Sequence, residues 1–284
     1  MSKFLSLCFA LMLIGLIGGA IGFRTVVHMM TGPGPLQQEK LVLIERGSGL
    51  NQIALTLEDE GVIRSRFLLI LRARMEDQAT ALKAGEYQFA PGISVAQALN
   101  KMAEGDVYKR QVTIPEGLRS AEIVDLLNAE EMLSGEITTI PAEGSLLPDT
   151  YAYIRGDDRK TIISRMQQAM NHALQQIWEE RAEGLPFESM EEALILASII
   201  EKETGVKQER EKVAGVFTNR LSIGMPLQTD PTVIYAIILR DGSMDRPLLQ
   251  RDWREVDSPY NTYQNTGLPP GPIANPGRAA MIAT

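Results

Sequence analysis

The sequence predicts a mixed α+β protein in three parts, and three observations support this fold class. An uncharged apolar run of twenty residues stands near the N-terminus, short strand and helix patterns alternate after it, and longer amphipathic helices fill the second half. The chain has 284 residues, 44% of them hydrophobic and 23% charged, which is an ordinary globular composition. This length is enough for about two domains.

The amino-acid composition excludes several kinds of function. The formal net charge is −8 at pH 7, and no block of Lys and Arg offers a local basic face, which argues against nucleic acid as a partner. One cysteine and two histidines are too few for a disulfide framework or a Cys/His metal site. The sequence therefore predicts no metal site, no cofactor and no nucleic-acid partner. The alternative is a Mg²⁺ or Ca²⁺ site made of carboxylates alone, for which no EF-hand spacing is present.

The N-terminal segment, residues 1–23, is predicted to be an uncleaved transmembrane signal anchor. The run from Phe4 to Phe23 carries no charge and is long enough to span a bilayer, and Lys3 precedes it. A positive charge on this side favours a single pass with the bulk of the chain outside the cytoplasm. Cys8 is expected to be a membrane-buried side chain. Cleavage near Gly19–Ala20 is the alternative.

A linker and a small β-α-α-β unit are predicted to follow the anchor. Residues 24–39 include the breaker-rich stretch TGPGPL and form the linker. The small unit is assigned to residues 40–108, and another helix from Ser94 to Glu104 lies within it. Its predicted β-α-α-β elements are a strand at 40–45, a helix from Leu50 that ends at Gly61, a helix at 64–75 and a strand at 84–89.

A polar stretch interrupts this pattern between the two parts of the chain. The letters GDVYKRQ stand abruptly between a helix that ends near Glu104 and a strand at residues 112–114. One hypothesis is that Val107 to Gln111 are not native to the fold, and resequencing of the gene would test it.

A short helix at residues 191–205 carries the strongest candidate for chemistry. At about 100° per residue, Glu203 falls among Leu196, Ile199 and Ile200, on the side where apolar residues point. A carboxyl held there, at the negative end of the helix dipole, is expected to remain protonated near neutral pH and to act as a general acid. Alternatively, Glu203 only ends the helix, reaching water or pairing with Lys207 or Arg210.

The last third of the sequence is rich in groups that bind sugars or make turns. Tyr260 and Tyr263 offer flat faces for pyranose rings, and three polar side chains offer hydrogen bonds to hydroxyl and N-acetyl groups. Those three are Gln228, Asn261 and Thr262. The alternative is that these residues only satisfy turns.

Five motifs in fixed order resemble one protein family. They are SIIEKET at 198–204, ERxxVAGVFxNRL at 209–221, GMPLQTDPTVIY at 224–235, SPYNTY at 258–263 and GLPPGPIANPG at 267–277. Together with LPDTY at 147–151 they are similar to the YceG-like endolytic murein transglycosylases of the MltG type. The likeness covers nearly the whole chain.

The resemblance implies a role, a location and a domain organisation. It implies a bacterial inner-membrane protein, single-pass, whose catalytic domain faces the periplasm and acts on peptidoglycan glycan strands, with penicillin-binding protein synthases as neighbours. Residues 40–108 would be a LysM-like module and residues 109–284 the YceG-like catalytic domain. Because the family continues beyond the last motif, that domain is expected to be incomplete. The catalytic glutamate of the family corresponds to Glu203, and Asp230 stands in a matching motif.

The implied reaction is a non-hydrolytic cut of the β-1,4 bond between N-acetylmuramic acid and N-acetylglucosamine that leaves a 1,6-anhydro end. Glu203 would act first as acid and then as base, without a second carboxylate to activate water. One alternative is a lysozyme-type hydrolase with Asp230 as its second carboxylate. Another is a membrane-tethered wall-binding scaffold without chemistry.

Overall fold

The computed structural model describes residues 2–284 and, within the first helix, the side chains of residue 9 and of residues from 11 onward. The prediction for Cys8 lies outside the described side chains. The chain divides into an N-terminal unit, Met1–Arg110, and a C-terminal unit, Gln111–Thr284. Both mix helices with short strands, which confirms the α+β class. The LysM-like character of the first unit and the incompleteness of the second stay predictions.

The N-terminal unit is built on one antiparallel strand pair. Its elements are α1 (Ser2–Thr31), β1 (Lys40–Ile44), α2 (Leu50–Asp59), α3 (Arg66–Met75), β2 (Gly85–Phe89) and α4 (Val95–Glu104). In the register of the pair, Lys40 faces Phe89 and Ile44 faces Gly85. The order β1-α2-α3-β2 is the one that the hydrophobic pattern predicts. Inward-facing strand residues and the apolar faces of α2, α3 and α4 form a single core.

The first helix is long and apolar enough to cross a membrane. Within it, the span Leu11–Thr31 has 21 residues and a mean hydropathy of 1.7. An 18-residue stretch of that span is not buried by the rest of the chain, whereas Met30, near its end, is only 1% exposed. The helix continues past Phe23 to Thr31, where the TGPGPL stretch stops it. This is compatible with a single-pass anchor.

The polar stretch that the sequence leaves unexplained packs on the end of β2. The Val107 side chain joins the core of the N-terminal unit. The Tyr108 backbone N–H donates to the Glu86 carbonyl at 2.7 Å, and the Arg110 guanidinium pairs with the Glu86 carboxylate, also at 2.7 Å. These contacts describe how the stretch is accommodated, and its origin stays a hypothesis.

The C-terminal unit is mainly helical around a second two-stranded sheet. The sheet pairs β3 (Arg110–Thr113) with β4 (Thr150–Tyr153). The helices are α5 (Ser120–Ala129), α6 (Arg159–Glu179), α7 (Met190–Glu203), α8 (Arg210–Ser222), α9 (Asp230–Asp241), α10 (Asp252–Glu255) and α11 (Arg278–Ala283). Of these, α7 is the central helix, because it contacts α6, α8, α9 and α11.

A buried ion cluster ties the end of α7 to two distant segments. Arg210, at the start of α8, is only 5% exposed, and its Nη2 lies 2.8 Å from Glu201 Oε1 and 3.2 Å from Glu116 Oε2. The other oxygen of Glu201 accepts the Gly277 backbone N–H at 3.0 Å. A Cβ atom at position 277 would overlap the Glu116 carboxylate, so any other residue there would displace this carboxylate from its present position. The cluster fixes the last turn of α7 on both sides.

Asn275 makes a second connection between the C-terminal motif and the start of the unit. Its side chain is fully buried, and Oδ1 accepts the Leu146 N–H at 2.9 Å. Nδ2 donates to the Leu118 carbonyl at 3.0 Å and to Glu143 Oε1 at 3.0 Å. Burial raises the pKa of Glu143, and the hydrogen bonds that Ser120 donates to this carboxyl oppose the shift only in part. The motif PIANPG is therefore a structural clamp.

The segment before the SPYNTY loop is held by a bidentate ion pair. Arg246 Nη1 and Nη2 lie 2.6 and 2.7 Å from the two carboxylate oxygens of Asp252, at the start of α10. The Leu249 N–H adds a third hydrogen bond to this carboxylate. The Arg246 guanidinium, followed by that backbone N–H, lowers the pKa of Asp252 to about 2. This pair positions Trp253 next to it.

We expect Arg210→Met to destabilise the C-terminal unit by about 3 kcal/mol or more, because the Glu201 carboxylate is left buried without a cation. The measurement is urea unfolding of the full chain, followed by tryptophan fluorescence. Both tryptophans, Trp178 and Trp253, lie within residues 111–284, so the signal reports this unit alone.

Arg240→Met is the matched control for that experiment. Arg240 pairs with its neighbour Asp241 at the surface, where an ion pair contributes little. The control should move the unfolding midpoint only slightly. An Arg210→Met midpoint as high as that of Arg240→Met would contradict the structural role of the cluster.

Arg246→Met should move an acid transition at Trp253 to higher pH. A carboxyl with a lowered folded-state pKa contributes stability above its ordinary value near 3.8, and that contribution disappears as the pH falls through about 2. Without the guanidinium, we expect the transition nearer pH 4. The acid transition is measured by tryptophan fluorescence in a Trp178→Phe background, in which Trp253 is the only indole. Equal transitions with and without Arg246 would show that the pair does not hold the segment.

Candidate active site

The last turn of α7 presents two glutamates in different surroundings. Residues 195–200 are all buried, so the body of α7 is enclosed on nearly every side. Beyond them the Glu201 side chain is only 5% exposed, whereas Glu203 is exposed. The prediction that Glu203 is packed among apolar side chains is therefore wrong. The apolar neighbours end one turn earlier, and a helical wheel cannot identify the outward face of a helix that is buried all round.

The side chain of Glu203 is held by Thr229, the N-cap residue just before α9. The Thr229 hydroxyl donates to Glu203 Oε2 at 2.6 Å, and Thr229 itself is only 2% exposed. Within the described part of the chain, Glu203 pairs with neither Lys207 nor Arg210, which were its alternative partners. Its other oxygen, Oε1, has no hydrogen-bond partner among the residues described. One oxygen of an exposed carboxylate is thus fixed and the other is open.

Asp230, the first residue of α9, is bound to the SPYNTY loop. The Tyr263 hydroxyl donates to Asp230 Oδ1 at 2.7 Å. Burial, the hydrogen bond to Asp230 and the charges of Asp230 and Glu203 all raise the pKa of Tyr263, so its hydroxyl remains a donor. The Tyr263 ring stacks on Trp253 with centroids 4.8 Å apart and planes 7° from parallel. An acidic residue, a donor and an aromatic pair therefore lie together.

The remaining predicted side chains of the SPYNTY loop have internal partners. Asn261 is fully buried, and its amide donates to the Val256 and Trp253 carbonyls at 2.8 and 3.1 Å. Thr262 is also buried, with its hydroxyl 2.8 Å from that of Thr232. The Tyr260 ring packs edge-on against Tyr235 at 5.0 Å. In this structure these three residues shape the loop.

Gln228 lies just before Thr229 and leaves its side chain at the surface. Its backbone has a φ of 51°, in the left-handed region, and its N–H donates to the Thr262 carbonyl at 3.1 Å. The bend orients Thr229 toward α7 while the Gln228 amide remains exposed. Hydrogen bonds thus connect Glu203, Asp230 and Tyr263 through the start of α9, with Gln228 beside them, whereas the Tyr260 ring contacts Tyr235.

Sequence reasoning missed two residues of this region, Thr229 and Trp253, and named Arg210 only as an alternative partner of Glu203. Thr229 had a signal, since a Thr before Asp-Pro is typical of a helix N-cap. Trp253 is one of only two tryptophans and stands shortly before the SPYNTY loop. Arg210 had no local signal, because its partners Glu116 and Glu201 are far from it or on another helix.

Neither the candidate metal ligands nor the groove volume in the described part of the chain indicates a different active site. Among the residues that the structure describes, no group of three or more His, Cys, Asp or Glu side chains could hold a metal ion. A groove of about 550 Å³ lies between the end of α6 and α11, with Trp178, Phe187 and Met281 in its wall. It contains none of the predicted site residues and no exposed carboxylate with a fixed partner. The chemistry of the side chains therefore favours the end of α7.

Comparisons with known proteins give relatives for nearly the whole chain. A Bacillus subtilis protein named endolytic murein transglycosylase is 33% identical over an alignment of 272 positions that covers 84% of this chain and 73% of that protein. A Streptococcus pneumoniae protein with the same name is 28% identical over an alignment of 313 positions that covers 93% of this chain. The chain spans only 55% of that longer relative.

A solved structure and a family match agree with these relatives. The crystal structure of a yceG-like protein from Listeria monocytogenes has 32% identity and a TM-score of 0.53, and the match covers 87% of this chain and 89% of that one. The YceG-like family matches residues 42–284, which include both units beyond the anchor and every motif discussed above. The chain therefore belongs to the YceG-like family.

Proposed function

We propose that this chain is an endolytic murein transglycosylase, a lyase that cuts the glycan strands of peptidoglycan. Its family and the names of its relatives support the activity. The observation that carries the assignment of the site is the exposed Glu203 carboxylate, bound at one oxygen and open at the other. Such a group can exchange a proton with a polymer that reaches the surface.

In the proposed reaction, protonated Glu203 gives its proton to the oxygen that joins N-acetylmuramic acid to N-acetylglucosamine. The bond between that oxygen and the muramyl C1 breaks, and the substrate's own N-acetyl group stabilises the positive charge. The Glu203 carboxylate then takes the proton of the muramyl C6 hydroxyl, and O6 forms a bond to C1. The products are a 1,6-anhydromuramyl end and a free 4-hydroxyl, with no water consumed.

The surroundings of the other carboxylates support a mechanism with one working glutamate. Glu201 is bound by Arg210 and by the Gly277 N–H, so it is not free to activate water. Asp230 accepts a hydrogen bond from Tyr263. We propose that Asp230 orients the substrate rather than acting as the second carboxylate of a hydrolase.

We propose that the glycan lies along the start of α9 and the SPYNTY loop. Gln228, Asp230 and Tyr263 are the expected contacts to sugar hydroxyl and N-acetyl groups, with the stacked Trp253 adding apolar area. Tyr260 would extend this surface on the side of Tyr235. For Asn261 and Thr262, whose polar atoms have internal partners, the proposed role is to hold the loop in this shape.

Glu203→Gln should lower the rate of glycan cleavage by about a hundredfold to ten-thousandfold, because the amide cannot exchange the proton. The full chain, in detergent, is incubated with purified uncrosslinked glycan strands, and 1,6-anhydromuramyl ends are counted by mass spectrometry. Glu211→Gln, an exposed glutamate on α8, is the matched control and should keep the wild-type rate.

The nature of the new ends decides between the proposed lyase and its rivals. Reducing ends in place of anhydro ends would move the assignment to a hydrolase. Full activity of Glu203→Gln would remove Glu203 from the mechanism. Binding to the strands without any cleavage would favour a wall-binding scaffold.

We also propose that α1 anchors the protein in the inner membrane and that both units lie outside the cytoplasm. The apolar span and the location of peptidoglycan support this arrangement. Penicillin-binding protein synthases, which make the strands, would then work on the same side of the membrane.

A cysteine placed on α8 should react with a membrane-impermeant maleimide in intact cells whose outer membrane has been opened. Because Cys8 is the only cysteine, a Cys8→Ser background makes the label specific. Glu211→Cys is expected to be labelled, whereas Ser2→Cys should be labelled only after the inner membrane is permeabilised. The reverse pattern would contradict the orientation.

A further inference from the structure

The Thr229 hydroxyl does not cap its own helix, which is the usual role of a threonine at this position. It is the N-cap of α9, where a threonine oxygen usually accepts a hydrogen bond from a backbone N–H of the first turn. That bond is absent here, and the hydroxyl donates instead to Glu203 Oε2 at 2.6 Å. At this length the contact has the geometry of a strong, charge-assisted hydrogen bond.

A closed ring of hydrogen bonds fixes the backbone of Thr229. The Thr229 N–H donates to Thr262 Oγ1 at 3.2 Å, and the Thr232 hydroxyl donates to the Thr229 carbonyl at 2.7 Å. Since Thr232 has given away its one proton, the 2.8 Å contact between Thr262 and Thr232 must be donated by Thr262. All three threonines are buried, so the ring is shielded from water.

The two oxygens of Glu203 are therefore not equivalent. Oε2 is held by a donor on a rigid helix end, and Oε1 has no partner in the described part of the chain. The side chain is otherwise exposed, so a glutamate without this contact would sample several rotamers. A general acid is effective only when its proton lies within hydrogen-bond reach of the leaving oxygen.

We infer that Thr229 is a positioning residue that holds Glu203 by Oε2, so that Oε1 is the oxygen that gives a proton to the leaving oxygen and then accepts the proton of the C6 hydroxyl. The inference rests on the proposed function, because it assumes that Glu203 is the acid and base. Thr229 acts through Glu203 and does not touch the substrate, since Thr229 is only 2% exposed. The role of Thr262 and Thr232 is to aim Thr229.

The test compares substitutions that differ only in the hydroxyl. Thr229→Ser keeps the hydroxyl and loses the methyl group, whereas Thr229→Ala loses both, so the Ser and Ala variants share the same methyl-sized gap. Thr229→Val keeps the size of threonine and removes only the hydroxyl. The full chain in detergent is assayed on uncrosslinked glycan strands, with kcat and KM determined separately. Tryptophan fluorescence on urea unfolding shows which variants are folded.

We expect kcat of Thr229→Ala to be about tenfold to a hundredfold below that of Thr229→Ser, the usual effect of one hydrogen bond to a charged group. Thr229→Val should show the same loss relative to the wild type. KM should change by less than about twofold in every variant, because Thr229 is buried away from the substrate. Thr56→Val, which removes a hydroxyl bound only within α2, should leave kcat unchanged.

Each outcome bears on the inference. Equal kcat for the Ser and Ala variants, or for Val and the wild type, would overturn it, and if one pair fails to fold the other pair decides. A change confined to KM would also overturn it, since Thr229 would then act on binding. Wild-type activity of Glu203→Gln would instead defeat the proposed catalytic residue. An inactive Glu203→Gln beside unaffected Thr229 variants would defeat this inference alone.

Discussion

The arrangement of the C-terminal unit depends on Arg210, a cation buried between carboxylates from distant parts of the chain. Its partner Glu116 is 94 residues away in sequence, and Glu201 lies on the neighbouring helix. Only Nη2 of its guanidinium bonds the two carboxylates, while Nε and Nη1 are buried without a hydrogen-bond partner among the described residues. The two carboxylates are therefore what compensates the buried charge, and the segments that carry them must meet in one arrangement. The C-terminal segment joins through the Gly277 N–H, and the end of α7 is fixed as a consequence.

This constraint explains why neighbouring glutamates on one helix differ in role. Glu201 and Glu203 are two residues apart, so they point about 200° apart around α7. Once Arg210 fixes Glu201 in the interior, Glu203 must emerge at the surface beside the start of α9. The buried glutamate gives the helix end its rigidity, and the exposed glutamate keeps one oxygen free. Rigid support close to a reactive group is what positioning in catalysis requires.

The sequence predicts much of the secondary structure and only part of the site. The apolar periodicity places the β-α-α-β elements and α7 within a few residues, because period and glycine stops are local signals. Burial of Glu201 is not a local signal, because it arises from Arg210 and Gly277. The helical wheel selected Glu203 because it placed this side chain among apolar neighbours, but in the structure the side chain is exposed. What favours Glu203 now is family membership, its exposure and the contact from Thr229.

The hydrogen bond between Thr229 and Glu203 comes at the expense of local stability at the start of α9. A threonine N-cap that caps its own helix stabilises it by about 1 kcal/mol, and α9 lacks this bond, with the Thr229 hydroxyl directed at Glu203. Gln228, just before it, adopts a left-handed φ of 51° that a residue with a side chain rarely takes. Two local departures from the most stable backbone and cap therefore coincide beside one exposed carboxylate. Strain of this kind persists where the surrounding structure imposes it, and here the threonine ring and the buried SPYNTY loop do so. The start of α9 therefore has a geometry that holds Glu203 at the expense of a stable helix end.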